Sequence, residues 1–503
     1  MDDVLSLSVN GKVDASISSD NINFAADEFT QLLLGAYPLS FSSKVSDIGI
    51  VGLGSGMTAA TILKFDSVRT VDIVEIEPYV VKAARIMGPK VADVFNDRRS
   101  RIFIEDARSF FASRIKKYDI IVSEPSNPWI SGVSSLFTRE YFHLVKKSLT
   151  SGGMLAQWFH LYEMSPELLA SVFKSLGEVF SEYKIFIAGT DIVILASDAA
   201  IADLPVHDLT KHPWFSPVLK LIFINNRTDF SINYLGPKNF FQPLWNAFSI
   251  VPNSDYNPIL DLRAAKSRIL NNEATGFAVL TTATIPVRKI LCQDTKDCSA
   301  GVSFYPIPLN PYTKALSANQ TAQQIYYYLS VIGTPEESRA DSIVRGEAAM
   351  AVAKIRMTAQ DRSVFVRRPL TKWSLDLISA TMPYLSNEQM KTIWAYIENY
   401  VNLSNHEDNS TEVLNMLKSI NHENYDNVIT HSLKVLEQRN YTDSEPCRLA
   451  LTALLLSSLK RNDYNPIVQI WDKINWQNTL NTEQQILCSI AAEKSGGIIS
   501  PVF

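Results

Sequence analysis

Cysteine is scarce in this chain: 503 residues hold four, Cys292, Cys298, Cys447 and Cys488. No CxxC pair occurs among them, which leaves neither a disulfide framework nor a familiar zinc spacing. Cys292 and Cys298 are close enough in sequence to bridge, yet reduced thiols are the expectation for a cytoplasmic protein. Long apolar runs are missing too. None approaches the roughly 20 residues that span a bilayer, and "MDDVLSLSVNGKVDAS" lacks the charged and apolar regions of a signal peptide. The expectation is a cytoplasmic chain with no membrane span. Positive charge is not in excess either: a formal net charge of -5 provides no basic face to neutralise phosphates, so no nucleic acid is expected as a partner. A small cationic substrate fits that balance better.

What is present is a composition of 46% hydrophobic and 20% charged residues, that of a folded protein too long for one core and therefore built from two or three domains. Between residues 47 and 198, short β-branched runs alternate with amphipathic stretches, as in a parallel sheet covered by helices. The expected strands are "DIGIVGLG" (47–54), "TVDIVEIE" (70–77), "RIFIEDA" (101–107), "YDIIVSE" (118–124) and "GMLAQWFHLY" (153–162). Two further runs, "YKIFIAG" and "DIVILAS", are joined too tightly for a crossover helix and must pair antiparallel. The fold class is α/β: a Rossmann-like seven-strand sheet of the class I methyltransferase type. Upstream, the Asn-Gly step in "LSLSVNGKVDASIS" predicts a small N-terminal β-unit. Downstream, proline-bearing sequence precedes helical periodicity, and "NYDNVITHSLKVL" and "DYNPIVQIWDKI" place Tyr425 and Tyr464 in register. This predicts a helical C-terminal domain, either a helix-pair repeat or an irregular bundle. The expected boundaries are 1–45 for the β-unit, 46–275 for the Rossmann-like domain, 276–335 for a linker and 336–503 for the helices.

Candidate site residues collect at the carboxyl ends of the strands, the edge where open parallel sheets bind ligands. Gly52, Gly54 and Gly56 in "VGLGSG" allow a sharp strand-to-helix turn and close approach to a ligand, although a tight turn alone accounts for them equally. Glu75 and Glu77 follow about 20 residues later, where an acid can accept hydrogen bonds from ribose hydroxyls. Asp106 is placed to receive an adenine amine. In "YDIIVSEPSNPW", two prolines hold Glu124, Ser126 and Asn127 on a constrained loop. A carboxylate there can take a proton from an attacking amine; alternatively it caps the next helix or pairs with Arg139. Trp129 and Phe137 either wall a substrate pocket or pack beneath it, His143 and His160 read as structural, and Arg139 and Glu140 as a local ion pair.

The ordered set "GLGSG", "VDIVEIEP", "EDARSFF", "YDIIVSEPSNPWISGVSSLFTREYF" and "GGMLAQWFHLY" resembles the spermidine synthase (polyamine aminopropyltransferase) family over about residues 5–270. "NGKVDAS", "DEFTQLLLGAYPL" and "NSDYNPILDL" are most similar to its bacterial branch fused to a transporter-like membrane region. The resemblance implies a donor of the adenosylmethionine type, with Glu75 on the ribose and Asp106 and Ala107 on the adenine. It puts Glu124 where the family has a catalytic Asp, Gln157 near the active site, Gln31 facing donor or acceptor, and Asp255 in a segment that closes over the site. Three departures stand out. Ser55 replaces a loop Asp that grips the amine of the decarboxylated donor, "EPSNP" replaces "DSSDP", and the pair Thr30 and Gln31 replaces a Tyr.

The implied activity is aminopropyl transfer from decarboxylated S-adenosylmethionine to a polyamine-like amine, with Glu124, Gln157 and Asn127 as the catalytic set and no metal. Donor contacts are assigned to Gln31, Gly52, Gly54, Ser55, Gly56, Glu75, Asp106 and Ala107; acceptor contacts are assigned to Trp129 and Asp255. Methyl transfer from intact S-adenosylmethionine is the alternative that Ser55 favours. A non-catalytic nucleoside-sensing adapter is the third reading, its helical domain binding a protein partner. A homodimer is compatible with each.

Overall fold

The computed structural model describes residues 4–9, 12–19, 24–130, 132–292, 313–337, 367–399, 409–475 and 479–496. Strands β1 (Val4–Val9) and β2 (Lys12–Ser18) pair antiparallel as the N-terminal unit. The stretch 1–45 is not all β-unit, however, because Ala26–Phe41 forms a buried helix, α1, that packs on β2 and on the strands Leu149–His160 and Asp191–Ser197. Its start is tied to the hairpin by Glu28, whose carboxylate accepts the N–H groups of Ala25 (2.7 Å) and Ser18 (2.8 Å) and pairs with Lys90 at 2.7 Å.

The main sheet contains β3 (Asp47–Val51), β4 (Thr70–Glu75), β5 (Ser100–Ile104), β6 (Tyr118–Ser123), β7 (Leu149–His160), β8 (Glu182–Ala188), β9 (Asp191–Ser197) and β10 (Tyr234–Pro237). Their order is β10-β8-β9-β7-β6-β3-β4-β5. The run from β7 to β5 is parallel, and β9, β8 and β10 continue it antiparallel. The intervening helices are α2 (Met57–Leu63), α3 (Pro78–Ala84), α4 (Asp93–Asn96), α5 (Ala107–Ser113), α6 (Arg139–Ser148) and α7 (Pro166–Val179), followed by α8 (Phe215–Leu221), α9 (Lys238–Ala247) and α10 (Ile259–Ile269). Helices cover both faces of a parallel sheet, so its central strands need apolar side chains on both sides. Accordingly β3, β4 and β6 are near-continuous buried Ile/Val runs.

The sheet has eight strands rather than the seven read from the sequence. The extra one, β10, is "YLGP", too short and too rich in Gly and Pro to alternate; it is admitted because an edge strand needs partners on one side only.

The chain divides into two compact units, one running to Ala278 and one from Val279 onward, with Thr313 returned to the first. The segment 276–335 is therefore not a linker throughout, since Val287–Leu291 and Lys314–Val331 are helices of the second unit. Lys314–Val331 packs on Arg367–Thr381 and Asn387–Glu398. The prolines that end at Pro311 drew the boundary, while the apolar spacing of Ala315, Ala322, Ile325 and Leu329 beyond them is already helical. Farther on, Asn409–Asn421, Tyr425–Gln438 and Glu445–Arg461 pack each on the next, and Glu445–Arg461 also on Thr482–Lys494. Tyr425 is the first residue of Tyr425–Gln438, whereas Tyr464 directly precedes Asn465–Trp471. Cys298, and with it the pairing to Cys292, lies outside the described residues. Cys447 and Cys488 are buried thiols.

Candidate active site

The sheet reverses its winding at β3, which has β4 on one side and β6 on the other, and crevices in open parallel sheets form at such a point. Two loops meet there. Gly52 donates its N–H to Val74 O and Glu124 donates its N–H to Val51 O, both at 2.9 Å. Gly52 has φ 88°, and a Cβ at that position would stand 2.3 Å from the carbonyl oxygen of Glu124. Glycine is thus required twice, by backbone conformation and by the approach of the Glu124 loop. Gly54 (φ 53°) and Gly56 (φ 88°) complete the turn into α2.

On the β4 side, the buried carboxylate of Glu75 accepts the N–H of Leu53 and that of Glu77, each at 2.9 Å. Burial pushes its pKa above the usual carboxylate range, opposed by these backbone donors. The Ile76 backbone N–H is directed at this carboxyl as well, which leaves acceptor capacity for one further donor. Glu77, the other acid of that pair, caps α3 by accepting Tyr79 N at 3.0 Å. Asp106 spends one oxygen on capping α5, accepting Ser109 N at 2.8 Å, and Ala107 is the buried first residue of that helix. Between them lie two aliphatic side chains unusually open to solvent, Ile76 at 69% and Ile104 at 51%. Gln31, reaching from α1, accepts the Ser55 hydroxyl at 2.5 Å, and its carbonyl oxygen accepts the Thr58 hydroxyl at 3.2 Å.

Glu124 follows β6 directly. It neither caps α6, which Thr138 does, nor pairs with Arg139, which lies on Glu178 (3.2 Å) and Glu140 (3.4 Å). Although the residue is only half-buried, desolvation dominates at its carboxyl and pushes the pKa to about 7. The Thr58 hydroxyl pulls it down, and the charges of Asp191 and Asp27 push it up. An acid poised near neutrality, among other acids, can take up and release a proton at ordinary pH.

Residues 28–193 match the spermine/spermidine synthase domain. Among curated proteins, the chain is 28% identical to the polyamine aminopropyltransferase of Clostridium perfringens (strain 13 / Type A) over 151 residues, 30% of this chain and 53% of that one. It is 33% identical to putrescine N-methyltransferase 2 of Nicotiana attenuata over 131 residues, 25% of this chain and 35% of that one. The chain thus spans about half or less of the length of these two relatives. Among solved structures, spermidine synthase from Thermotoga maritima aligns over 37% of this chain and 69% of its own, at 19% identity and a TM-score of 0.32. No helix among the described residues is long and apolar enough to cross a membrane.

In the synthase-like domain, Asn127 is buried and donates through Nδ2 to the Tyr162 hydroxyl at 3.3 Å. Trp129 packs edge-on to His160 (4.7 Å between centroids) and Tyr162 (6.4 Å), with Arg268 over its ring. Gln157 is fully buried beside the end of β6, donating to Ser123 O (3.2 Å) and Trp158 O (2.9 Å). Phe137 is buried against Phe159, so it packs rather than lining a pocket. Asp255 is held by Arg108 of α5, one bond being 2.8 Å, and this ion pair takes its carboxyl below the usual range. His143 is exposed and His160 lies in the aromatic cluster. Among the described residues, no group of three His, Cys, Asp or Glu side chains is placed to hold a metal.

Sequence reasoning missed Asp27, Thr58, Asp191 and Tyr162. Asp27 and Asp191 both reach Glu124 and Tyr162 electrostatically. Thr30 bridges to this group by donating to Asp191 Oδ2 at 3.1 Å. The hairpin adds two ties: Ser126 donates to Asp14 (2.9 Å) and Ser16 to Asp27 (2.7 Å). A signal existed only for Asp191, which begins β9 and is the cross-strand neighbour of His160 at the end of β7; an acid at a hairpin base reads as a turn residue until the sheet places it at the ligand edge.

Proposed function

We propose that the synthase-like domain transfers an aminopropyl group from decarboxylated S-adenosylmethionine to an amine nitrogen of a small polyamine. The observation that carries this reading is Glu124: a carboxyl pushed to about 7 at the sheet's switch point, among acids that attract a cationic amine. Asp27 and Asp191 raise the local concentration of such an acceptor, and the ring of Tyr162 suits an ammonium and its alkyl chain. Glu75 keeps acceptor capacity for a ribose hydroxyl beyond its three backbone donors. The exposed Ile76 and Ile104 offer apolar surface that a planar adenine would cover, next to Ala107 and the Asp106 carboxylate. A bound sulfonium donor supplies an electrophilic carbon and a neutral thioether leaving group. Glu124 then accepts the proton that the amine must lose, while the loop set by Pro125 and Pro128 keeps the nitrogen aligned.

Glu124→Gln separates this chemistry from binding. The variant should retain donor affinity within about threefold and lose about a hundredfold or more in turnover. Turnover equal to the parent's would remove Glu124 from the mechanism.

Methyl transfer from intact S-adenosylmethionine is the second reading, favoured by one observation: Ser55 and Gln31 form a neutral, buried pair where the resembled family has an acid. An uncharged pair does not repel the donor's carboxylate. Calorimetric titration with the two donors decides, since preference for the intact form would put methyl transfer first.

A further inference from the structure

Resting on the transfer reading above, we propose that Thr58 is a positioning residue for the base: its hydroxyl donates to the Glu124 carboxylate before the amine is deprotonated and turns to Gln31 O once Glu124 holds the proton. Thr58 lies in the first turn of α2 and is 2% exposed. Its hydroxyl carries one hydrogen and two lone pairs, and it stands between two acceptors. It donates to the backbone carbonyl oxygen of Gln31 at 3.2 Å, and it is also hydrogen-bonded to the Glu124 side chain. One hydrogen cannot serve both acceptors, so the one it serves depends on where the Glu124 proton is.

At Gln31 the two arrangements differ little. That residue lies inside α1, where a carbonyl already accepts the helical N–H four residues on, so it stays satisfied when the hydroxyl turns away. Thr58 itself is held in place, because α2 packs so closely on α1 that a Cβ at Gly35 would meet Thr61 Cγ2 at 3.0 Å and Thr58 O at 3.3 Å. The hydroxyl hydrogen is the part that moves. Glu124 also faces the charges of Asp27 from α1 and Asp191 from β9, neither of which offers a hydrogen when ionised. The Thr58 donor therefore offsets their repulsion of the carboxylate. When the amine attacks, the nitrogen–carbon bond forms as the carbon–sulfur bond breaks and leaves its electron pair on the neutral thioether. The resulting ammonium gives one proton to Glu124, whose new O–H donates to Thr58 Oγ1 while the Thr58 hydrogen swings to Gln31 O. Loss of that proton to solvent restores the first arrangement.

Thr58→Val keeps the branched shape and removes the hydroxyl, whereas Thr58→Ser keeps the hydroxyl. The test measures the ratio of variant to parent kcat/KM between about pH 6 and pH 10, with decarboxylated S-adenosylmethionine and a butane diamine; the ratio cancels the amine's own ionisation. For Thr58→Val it should be about one-fifth at pH 7 and approach one above about pH 9, as for a carboxyl that ionises about one unit higher. For Thr58→Ser it should stay near one throughout. A second readout needs no turnover: the δ-carbon resonance of carbon-13-labelled Glu124, assigned by its absence in Glu124→Gln, should titrate about one unit higher in Thr58→Val than in the parent or in Thr58→Ser. Thr58→Ala takes the place of Thr58→Val in both measurements if the latter does not fold. Equal midpoints in the parent and the variant without a hydroxyl overturn the proposal, and so does a Thr58→Ser profile that follows Thr58→Val. Failure of every amine to react overturns the transfer reading and the proton step with it, whereas turnover with an unmoved midpoint overturns this inference alone.

Discussion

Burial moves the Glu124 pKa from 4.5 to about 7, which brings its titration into the neutral range. Two outcomes follow at this scale. If the carboxylate is the base, kcat/KM for the amine should rise through pH 7 and level off above it, as a steady-state profile would read. The same shift has a stability consequence of definite sign. A pKa higher in the folded than in the unfolded chain favours folding below pH 4.5, and that contribution is lost as pH rises through 7. Glu124→Gln should therefore be more stable than the parent above pH 7, by on the order of 2 kcal/mol, with the gain absent below about pH 4.5. Urea unfolding at pH 4 and pH 8 measures it. A stability gain paired with lost turnover is the signature of a residue kept for chemistry.

Among the elements, the turn from β3 to α2 is the most constrained. Residue 52 combines a left-handed φ with a contact that leaves no room for a methyl group beside Glu124. Gly52→Ala should cost on the order of 3 kcal/mol and displace the Glu124 loop, so that thermal unfolding and turnover both suffer. By contrast, Gly88 and Gly132 have a positive φ but open space around them, and alanine there pays for conformation alone. The hairpin works differently. Its Asp14 and Ser16, both on β2, hold Ser126 and Asp27, so β2 stabilises the acidic side of the site through side chains rather than through the sheet.

For the whole molecule, the two units carry separate titrations. In the helical unit, Glu483 is 8% exposed near the start of Thr482–Lys494, and burial pushes its pKa to about 8. The folded unit holds the neutral acid, so its stability should fall as pH rises through 8; Glu483→Gln should remove that loss while leaving donor affinity of the synthase-like domain unchanged. Differential scanning calorimetry at pH 7 and pH 9, with a donor titration, tests both parts. Much of the synthase-like domain was legible in the chain because its signals are local: Ile/Val runs long enough for buried strands, glycines at a turn, and a Glu between a strand and two prolines. The hairpin partner of β9 followed from a connection too short for a helix. What could not be read was set by distance in sequence. Asp27 and Asp191 are separated from Glu124 by about 97 and 67 positions, and only the winding of the sheet brings their charges onto one carboxyl. Likewise β10 exists because β8 offers an open edge. The sequence by itself determined the strands, the turn glycines and the acid at the end of β6. Tertiary structure alone decided that this acid is desolvated and which acids surround it, because burial and charge proximity are properties of the packed chain.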